Sequence, residues 1–227
     1  MKRSEINRCI QEAKEICTKH GYILPPWAYF SPDDWAQKGA EYDEIRENML
    51  GWDVTDFGLG DFEKTGLLLF TIRNGNYHKP GNRKTYAEKL MLVKNRQVTP
   101  THFHWSKMED IINRGGGNLQ IQVYNSTQDE KLADTPVNVM VDGRHFTVTA
   151  GTIITLQPGE SITLPQNMYH QFWAEKGKGT VLCVEVSAVN DDNTDNRFLE
   201  PLGRFPEIEE DEEPKFLLCN EYPPATD

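Results

Sequence analysis

The residue types best suited to chemistry are concentrated in one stretch, Thr101-His102-Phe103-His104-Trp105-Ser106-Lys107-Met108-Glu109-Asp110. On a strand, residues i and i+2 share a face, so His102 and His104 are expected to point one way, with Phe103 and Trp105 pointing the other way into apolar packing. Two imidazoles side by side supply half a metal site, although the same spacing also serves an ordinary polar strand face. Glu109, five positions after His104 and reached by a short turn, can supply a carboxylate ligand. A fourth ligand must come from elsewhere, and His170 stands on a late strand just after Leu164-Pro165-Gln166-Asn167-Met168-Tyr169. His20, His78 and His145 lack such companions and read as ordinary core or surface histidines.

The elements that must position these side chains are short strands. From residue 66 onward the pattern predicts strands at 67–72, 86–93, 97–105, 119–124, 137–141, 145–149, 153–156, 161–164, 168–173 and 181–186. Asn74-Gly75, Asp142-Gly143 and Pro158-Gly159 are the clearest turns between them. Many short strands at such spacing indicate a sandwich or barrel. Ahead of them, Ile6, Cys9, Ile10, Ala13, Ile16 and Cys17 recur at helical spacing with Ser4 as a candidate N-cap. Ser31-Pro32-Asp33-Asp34 starts a second helix, expected to run toward residue 50 with a break near Gly39. The reading is one domain: a mostly helical N-terminal extension (1–65), a β-barrel (66–190) and an acidic C-terminal segment (191–227). No βαβ unit, internal repeat or glycine-rich phosphate loop is evident. Gly115-Gly116-Gly117 leads into a strand, not into a helix that cradles an anion.

Composition narrows the partners. The 227 residues carry 35 acidic and 24 basic side chains, a formal net charge of −11, which disfavours a nucleic-acid backbone as ligand. The excess is local: residues 185–227 hold 13 acidic and 3 basic side chains, against 22 and 21 in residues 1–184. Residues 207–213 include six carboxylates and read as a solvated run or a subunit contact. No apolar run approaches the roughly 20 residues of a membrane span, and four cysteines without a CxxC pair fit a reducing cytoplasm. Cys9 and Cys17 fall on the apolar helix face as small hydrophobes.

The histidine pattern resembles the cupin superfamily. His102, His104, Glu109 and Gly116 match its first motif, with Arg96 in place of the opening glycine. Gly159, Pro165 and His170 match the second, with Asn167 for its second glycine and Ala174 for its final asparagine. Asn tolerates the left-handed conformation that such a turn needs. The resemblance implies a mainly β, cupin-type jelly-roll barrel with a three-His, one-Glu metal site. Such a ligand set suits Mn, Fe, Co, Ni or Zn, Mn²⁺ being the weakest binder of the series. Two cis positions left on an octahedral ion suit adjacent hydroxyl and carbonyl oxygens of a small molecule.

Cupins include isomerases, oxygenases and non-catalytic binding proteins, so neighbouring residues must choose among them. Lys107 stands between the HxH pair and Glu109. Lys89, Gln120 and Glu185 alternate with apolar neighbours, and if they face inward the barrel is lined for a sugar. Over nearly the whole chain the sequence is similar to the D-lyxose isomerase family of cupin sugar isomerases. The runs 86–89, 97–105 and 107–117 carry this, with Glu185-Val186-Ser187, Asn190-Asp191-Asp192, Asp195-Asn196-Arg197-Phe198 and Gly203-Arg204-Phe205. Membership implies Mn²⁺-dependent interconversion of D-lyxose with D-xylulose, and of D-mannose with D-fructose, in the cytoplasm; cupins also commonly form homodimers. In an enediol mechanism Lys107 stabilises the enediolate or relays a proton, and Glu185 is the expected base because Glu109 is already a ligand. A metal-assisted hydride shift is the alternative. Lys89, Gln120, Asp191 and Arg204 are the expected sugar-binding residues, with Asp192 and Arg197 as weaker candidates. A metal-dependent oxygenase and a non-catalytic sugar-binding cupin are the competing functions.

Overall fold

The helical spacing near the N-terminus produces α1 (Arg3–Lys19), which buries Ile6, Cys9, Ile10, Ala13 and Cys17 along one face. The structure, a computed structural model, describes residues 1–226. Lys2 rather than Ser4 occupies the N-cap. Ser4 instead bonds Asp211 through its N–H at 2.9 Å and its hydroxyl at 2.8 Å. Gly21, at φ +67°, turns the chain so that the Tyr22 N–H reaches the Cys17 carbonyl at 2.8 Å. Ser31 does cap the second helix, in a reciprocal capping box with Asp34. That helix, α2 (Pro32–Trp35), stops after one turn, and a 3₁₀ turn (Ala40–Tyr42) and α3 (Asp43–Glu47) replace the continuous helix expected toward residue 50. The cause is packing: Trp35 is buried against Phe30, Tyr42 and Tyr222, which fixes the chain direction there.

Fourteen strands follow: β1 (Gly51–Thr55), β2 (Leu67–Arg73), β3 (Tyr86–Val93), β4 (Val98–Phe103), β5 (Glu109–Gly116), β6 (Leu119–Ser126), β7 (Leu132–Ala133), β8 (Val137–Val141), β9 (Arg144–Val148), β10 (Ile153–Leu156), β11 (Ser161–Leu164), β12 (Met168–Ala174), β13 (Val181–Ala188) and β14 (Arg197–Phe198). One sheet runs β1-β2-β3-β13-β5-β11-β8-β9 and the other β10-β6-β12-β4-β14, with β7 beside β6. Facing one another, they make the mainly β, cupin-type jelly-roll barrel, with the helices as an N-terminal extension. Four strands, β1, β5, β7 and β14, lie where none was expected. β1 lies inside the stretch read as helical, and β5 begins at Glu109 itself, so this carboxylate is held by a strand.

Two apolar cores explain the long buried strands. Leu67, Leu69, Met91, Val93 and Cys183 point into the barrel, whereas Leu68, Phe70, Leu90, Leu92, Leu182 and Val184 pack outward under α1. β2, β3 and β13 are therefore apolar on both faces, and Lys89, Cys183 and Glu185 share the inner one with Met91. Apolar side chains fill one end of the barrel and charged ones the other. Along β13, Cys183 precedes Glu185 and Ser187, and the antiparallel register sets Lys89 opposite Glu185.

The acidic segment returns to α1. All six carboxylates of residues 207–213 are exposed, yet the backbone here is tied to the N-terminus: Met1 donates to the Glu207 carbonyl at 2.7 Å and the Arg3 N–H to Glu209 at 2.9 Å. The buried Arg3 guanidinium grips Glu210 at 2.7 and 2.8 Å and also pairs with Glu221. No helix among the described residues is long and apolar enough to cross a membrane.

Candidate active site

β4 and β12 are neighbours, and their register sets His102 opposite His170, while His104 follows two residues on. The ligating nitrogens of His102, His104 and His170 lie within 4.8 Å of one another. Their orientation is fixed from behind: each Nδ1 donates to a backbone carbonyl, of Pro100 at 2.7 Å, Asp195 at 2.6 Å and Met168 at 3.1 Å respectively. These bonds leave each Nε2 with a lone pair directed into the barrel. Burial first, and then His170 and His104, push the His102 imidazole well below its ordinary pKa, so it stays neutral.

Glu109 enters from the facing sheet, its Oε1 3.1 Å from His170 Nε2 and 3.6 Å from His104 Nε2. Two lone-pair acceptors at that separation repel unless a proton or a cation lies between them. Among the described residues the buried side-chain polar atoms without a hydrogen-bond partner are Thr99 Oγ1, His170 Nε2 and Arg204 Nη1. Thr99 and Arg204 line the cavity that also takes in His102, His104 and Glu109. Such orphaned atoms are rare in folded proteins, and here two belong to residues that line this cavity while the third, His170 Nε2, lies 3.1 Å from Glu109 in its wall. The donor set fits a divalent cation held by the three imidazoles.

Lys107 closes one side. Its ammonium lies 2.7 Å from Glu109 Oε2 and 2.8 Å from Glu185 Oε1. Burial alone would lower its pKa, but the two carboxylates outweigh this and hold it above the usual lysine value, so it is a permanent cation. Burial alone would likewise raise Glu109, yet Lys107 and then His104 hold it well below the carboxylate range. The Ser187 hydroxyl donates to Glu185 Oε1 at 2.9 Å. Opposite, Lys89 lies 3.8 Å from Glu185 and 3.6 Å from Asp192, and Arg204 pairs with Asp53 at 2.6 Å and Asp192 at 3.2 Å. Burial would raise Asp192, but Arg204 and Lys89 drive it far below its ordinary value.

Of the residues singled out from sequence, the barrel gathers His102, His104, Glu109, His170, Lys107, Glu185, Lys89 and Arg204 around one cavity. It excludes two. Gln120 points away: Leu119, Ile121 and Val123 take the inner face of β6, and Gln120 bonds Trp173 Nε1 at 2.8 Å on the outer one. This face meets solvent, so the usual apolar-in, polar-out alternation applies. Asp191 also turns outward, caps its own loop through Thr194 at 2.6 Å and meets His78 at 3.1 Å; its neighbour Asp192 is the one that faces the cavity. Arg197 pairs outside it with Glu130 at 2.7 Å. Phe103 packs inside the outer layer on Tyr169, whereas Trp105 is largely exposed and donates to Glu130 at 2.8 Å. Sequence reasoning missed Asp53, which lies on the unforeseen β1, and Asp195. Asp195 accepts the Ser106 and Lys107 N–H groups at 2.9 and 3.0 Å, and its carbonyl holds His104. Asp195 stands in a run already singled out, but no spacing rule joins it to a turn some ninety residues earlier.

Known proteins resemble this chain over nearly its whole length. A family model described as D-lyxose isomerase matches residues 1–222. The chain is 51% identical over 223 residues to a D-lyxose/D-mannose isomerase of Escherichia coli O157:H7, with 98% of each covered. It is 50% identical over 226 residues to one of Serratia proteamaculans, again with 98% of each covered. Among solved structures, Acinetobacter sp. DL28 L-ribose isomerase in complex with L-ribose superposes with a TM-score of 0.60 at 15% identity, over 92% of this chain and 98% of that one, a likeness of fold.

Proposed function

The chain belongs to the D-lyxose isomerase family, and from that premise we propose that it interconverts D-lyxose with D-xylulose, and D-mannose with D-fructose. We assign His102, His104, His170 and Glu109 as ligands of a divalent metal, Mn²⁺ by family resemblance, with Co, Fe, Ni or Zn as chemically admissible substitutes. The observation that carries the reading is the convergence of three imidazole nitrogens and one carboxylate beside a buried Lys107–Glu185 pair.

Bound there, the metal supplies Lewis-acid polarisation of a carbonyl oxygen and the neighbouring hydroxyl. Glu185 is placed to take the proton that moves between C1 and C2, with Ser187 steadying its Oε1. Lys107, held as a cation by its two carboxylates, stabilises through its positive charge the oxygen on which enediolate charge develops. Lys89, Asp192 and Arg204 face the remaining hydroxyls, and Phe57, Phe172 and Phe198 give apolar walls for C–H faces. The three cations of the pocket are each matched by Glu109, Glu185, Asp192 or Asp53, which suits an uncharged sugar better than a phosphorylated one. Asp53 comes from the extension and Asp192 and Arg204 from the acidic segment, so we read residues 1–227 as one functional unit. Family resemblance adds a cytoplasmic homodimer, which sedimentation of the purified protein tests.

Metal-stripped protein should be inactive and should regain aldose–ketose conversion of lyxose and mannose on addition of Mn²⁺. His104→Ala should abolish both turnover and metal retention; unchanged turnover would sink the ligand assignment, and oxygen uptake would point to an oxygenase instead. Reaction in deuterated water should place solvent deuterium on the product carbon. Its complete absence favours a hydride shift over the enediol route.

A further inference from the structure

Two lysines at the site share one neutral partner. Asn190 Oδ1 accepts from Lys89 Nζ at 2.6 Å and from Lys107 Nζ at 3.2 Å. With Glu109 and Glu185, this bond completes the three donors of the Lys107 ammonium. The oxygen, and not the amide nitrogen, must face the lysines, because both are donors only. Two like charges thus meet on the negative end of one dipole, and its location sets where both can stand.

Asn190 lies just past the end of β13, where no ladder holds the backbone, and a second asparagine takes over that task. Buried Asn74 donates from Nδ2 to the Asn190 carbonyl at 2.8 Å and accepts the Asn190 N–H on Oδ1 at 3.0 Å. Asn48, at the end of α3, donates to the Asn74 carbonyl at 3.0 Å. At Gly75 a Cβ would fall 2.1 Å from the Lys84 carbonyl and 2.5 Å from Val189, so the chain can approach Asn190 this closely only with glycine next to Asn74.

We propose that Asn190 is a positioning residue that places the Lys107 and Lys89 ammonium groups for the isomerisation, and that Asn74 acts through it by clamping its backbone. The role in turnover rests on the function proposed above; the placement of the lysines does not. Asn190→Ala, Asn74→Ala and the double variant are compared with wild type as Mn²⁺-loaded proteins, with metal content, kcat and KM measured and crystal structures determined. Each single variant should keep its metal and lose kcat about a hundredfold with little change in KM, the loss typical of a displaced catalytic group. The double variant should lose no more than Asn190→Ala alone. Wild-type kcat in Asn190→Ala, or losses that multiply in the double variant, would overturn the proposal. Should Asn190→Ala fail to fold, Asn190→Asp, which keeps the acceptor oxygen, decides: retention of most of kcat supports the role and a hundredfold loss refutes it. A Lys107 Nζ that stays within a few tenths of an ångström of its place in the Asn74→Ala crystal structure also refutes it, whatever sugar the enzyme turns over. Wild-type protein inactive on lyxose and mannose would refute the function alone.

Discussion

Glu109 and Glu185 are both buried carboxylates on the inner face of one sheet, and Lys107 touches both, yet their surroundings give them different work. Glu109 faces imidazole lone pairs and is drawn far below the usual carboxylate range, which suits a permanent ligand. Glu185 faces two ammonium groups and a hydroxyl, away from the imidazoles, which leaves it free to meet a substrate proton. Glu185→Gln keeps the shape and removes the proposed base. It should cut kcat by about 10²–10⁴-fold with full metal content by atomic absorption, the usual worth of a general base. Loss of metal in that variant would make Glu185 a ligand instead. The histidine pair of the candidate metal site, His102 and His104, was legible in sequence because HxH on a strand fixes a shared face by backbone geometry alone. Lys107 was legible as a neighbour of that pair, whereas Asp53 and Asp195 were not, since only folding carries them to it.

At the scale of elements, two motif positions that ordinarily hold glycine show what the backbone demands. Arg96 and Asn167 stand at those positions, and both adopt the left-handed region, at φ +65° and +60°. The left-handed turn is thus made here without glycine, and Asn167, whose N–H bonds the His104 carbonyl at 2.9 Å, ties the second motif to the first. Asn167→Ala should destabilise the protein by about 1 kcal/mol, and Asn167→Gly by much less, in denaturant titrations. Equal effects would mean that the side chain and not the backbone angle matters. β1 is not marked in sequence because it is buried on both faces, so no alternation shows. β5 does alternate and runs into Gly115-Gly116-Gly117, but the sequence reading takes Glu109, its first residue, as the end of a short turn.

For the whole molecule, the acidic end of the chain is both a clamp and a wall of the site. Arg3, buried in α1, holds Glu210 and Glu221, while Asp192 and Arg204 of the same segment reach the cavity. Arg3→Ala should cost about 1–3 kcal/mol in thermal or denaturant unfolding, the worth of hydrogen bonds to a charged group. The clamp also senses pH. Bonding to Arg3 holds Glu210 below its ordinary value, and the Ser4 N–H and hydroxyl do the same for Asp211. Both shifts are downward, so their contribution is fully present above the unfolded values near pH 4 and is lost as pH falls through the folded ones. Proteolysis of the acidic segment should accelerate below about pH 4 before the barrel unfolds; simultaneous loss of both would contradict this. By itself the sequence determined the barrel class, the helical start, the four candidate ligands and the place of the excess charge, because strand and helix periods and motif spacing are local properties. The tertiary structure decided which polar face looks inward. Under α1 the outer face of β3 and β13 is taken by Leu90, Leu92, Leu182 and Val184, so Lys89 and Glu185 turn into the barrel, while β6 meets solvent and turns Gln120 out. Alternation tells which residues share a face, and only the layer packed against that face tells where it points.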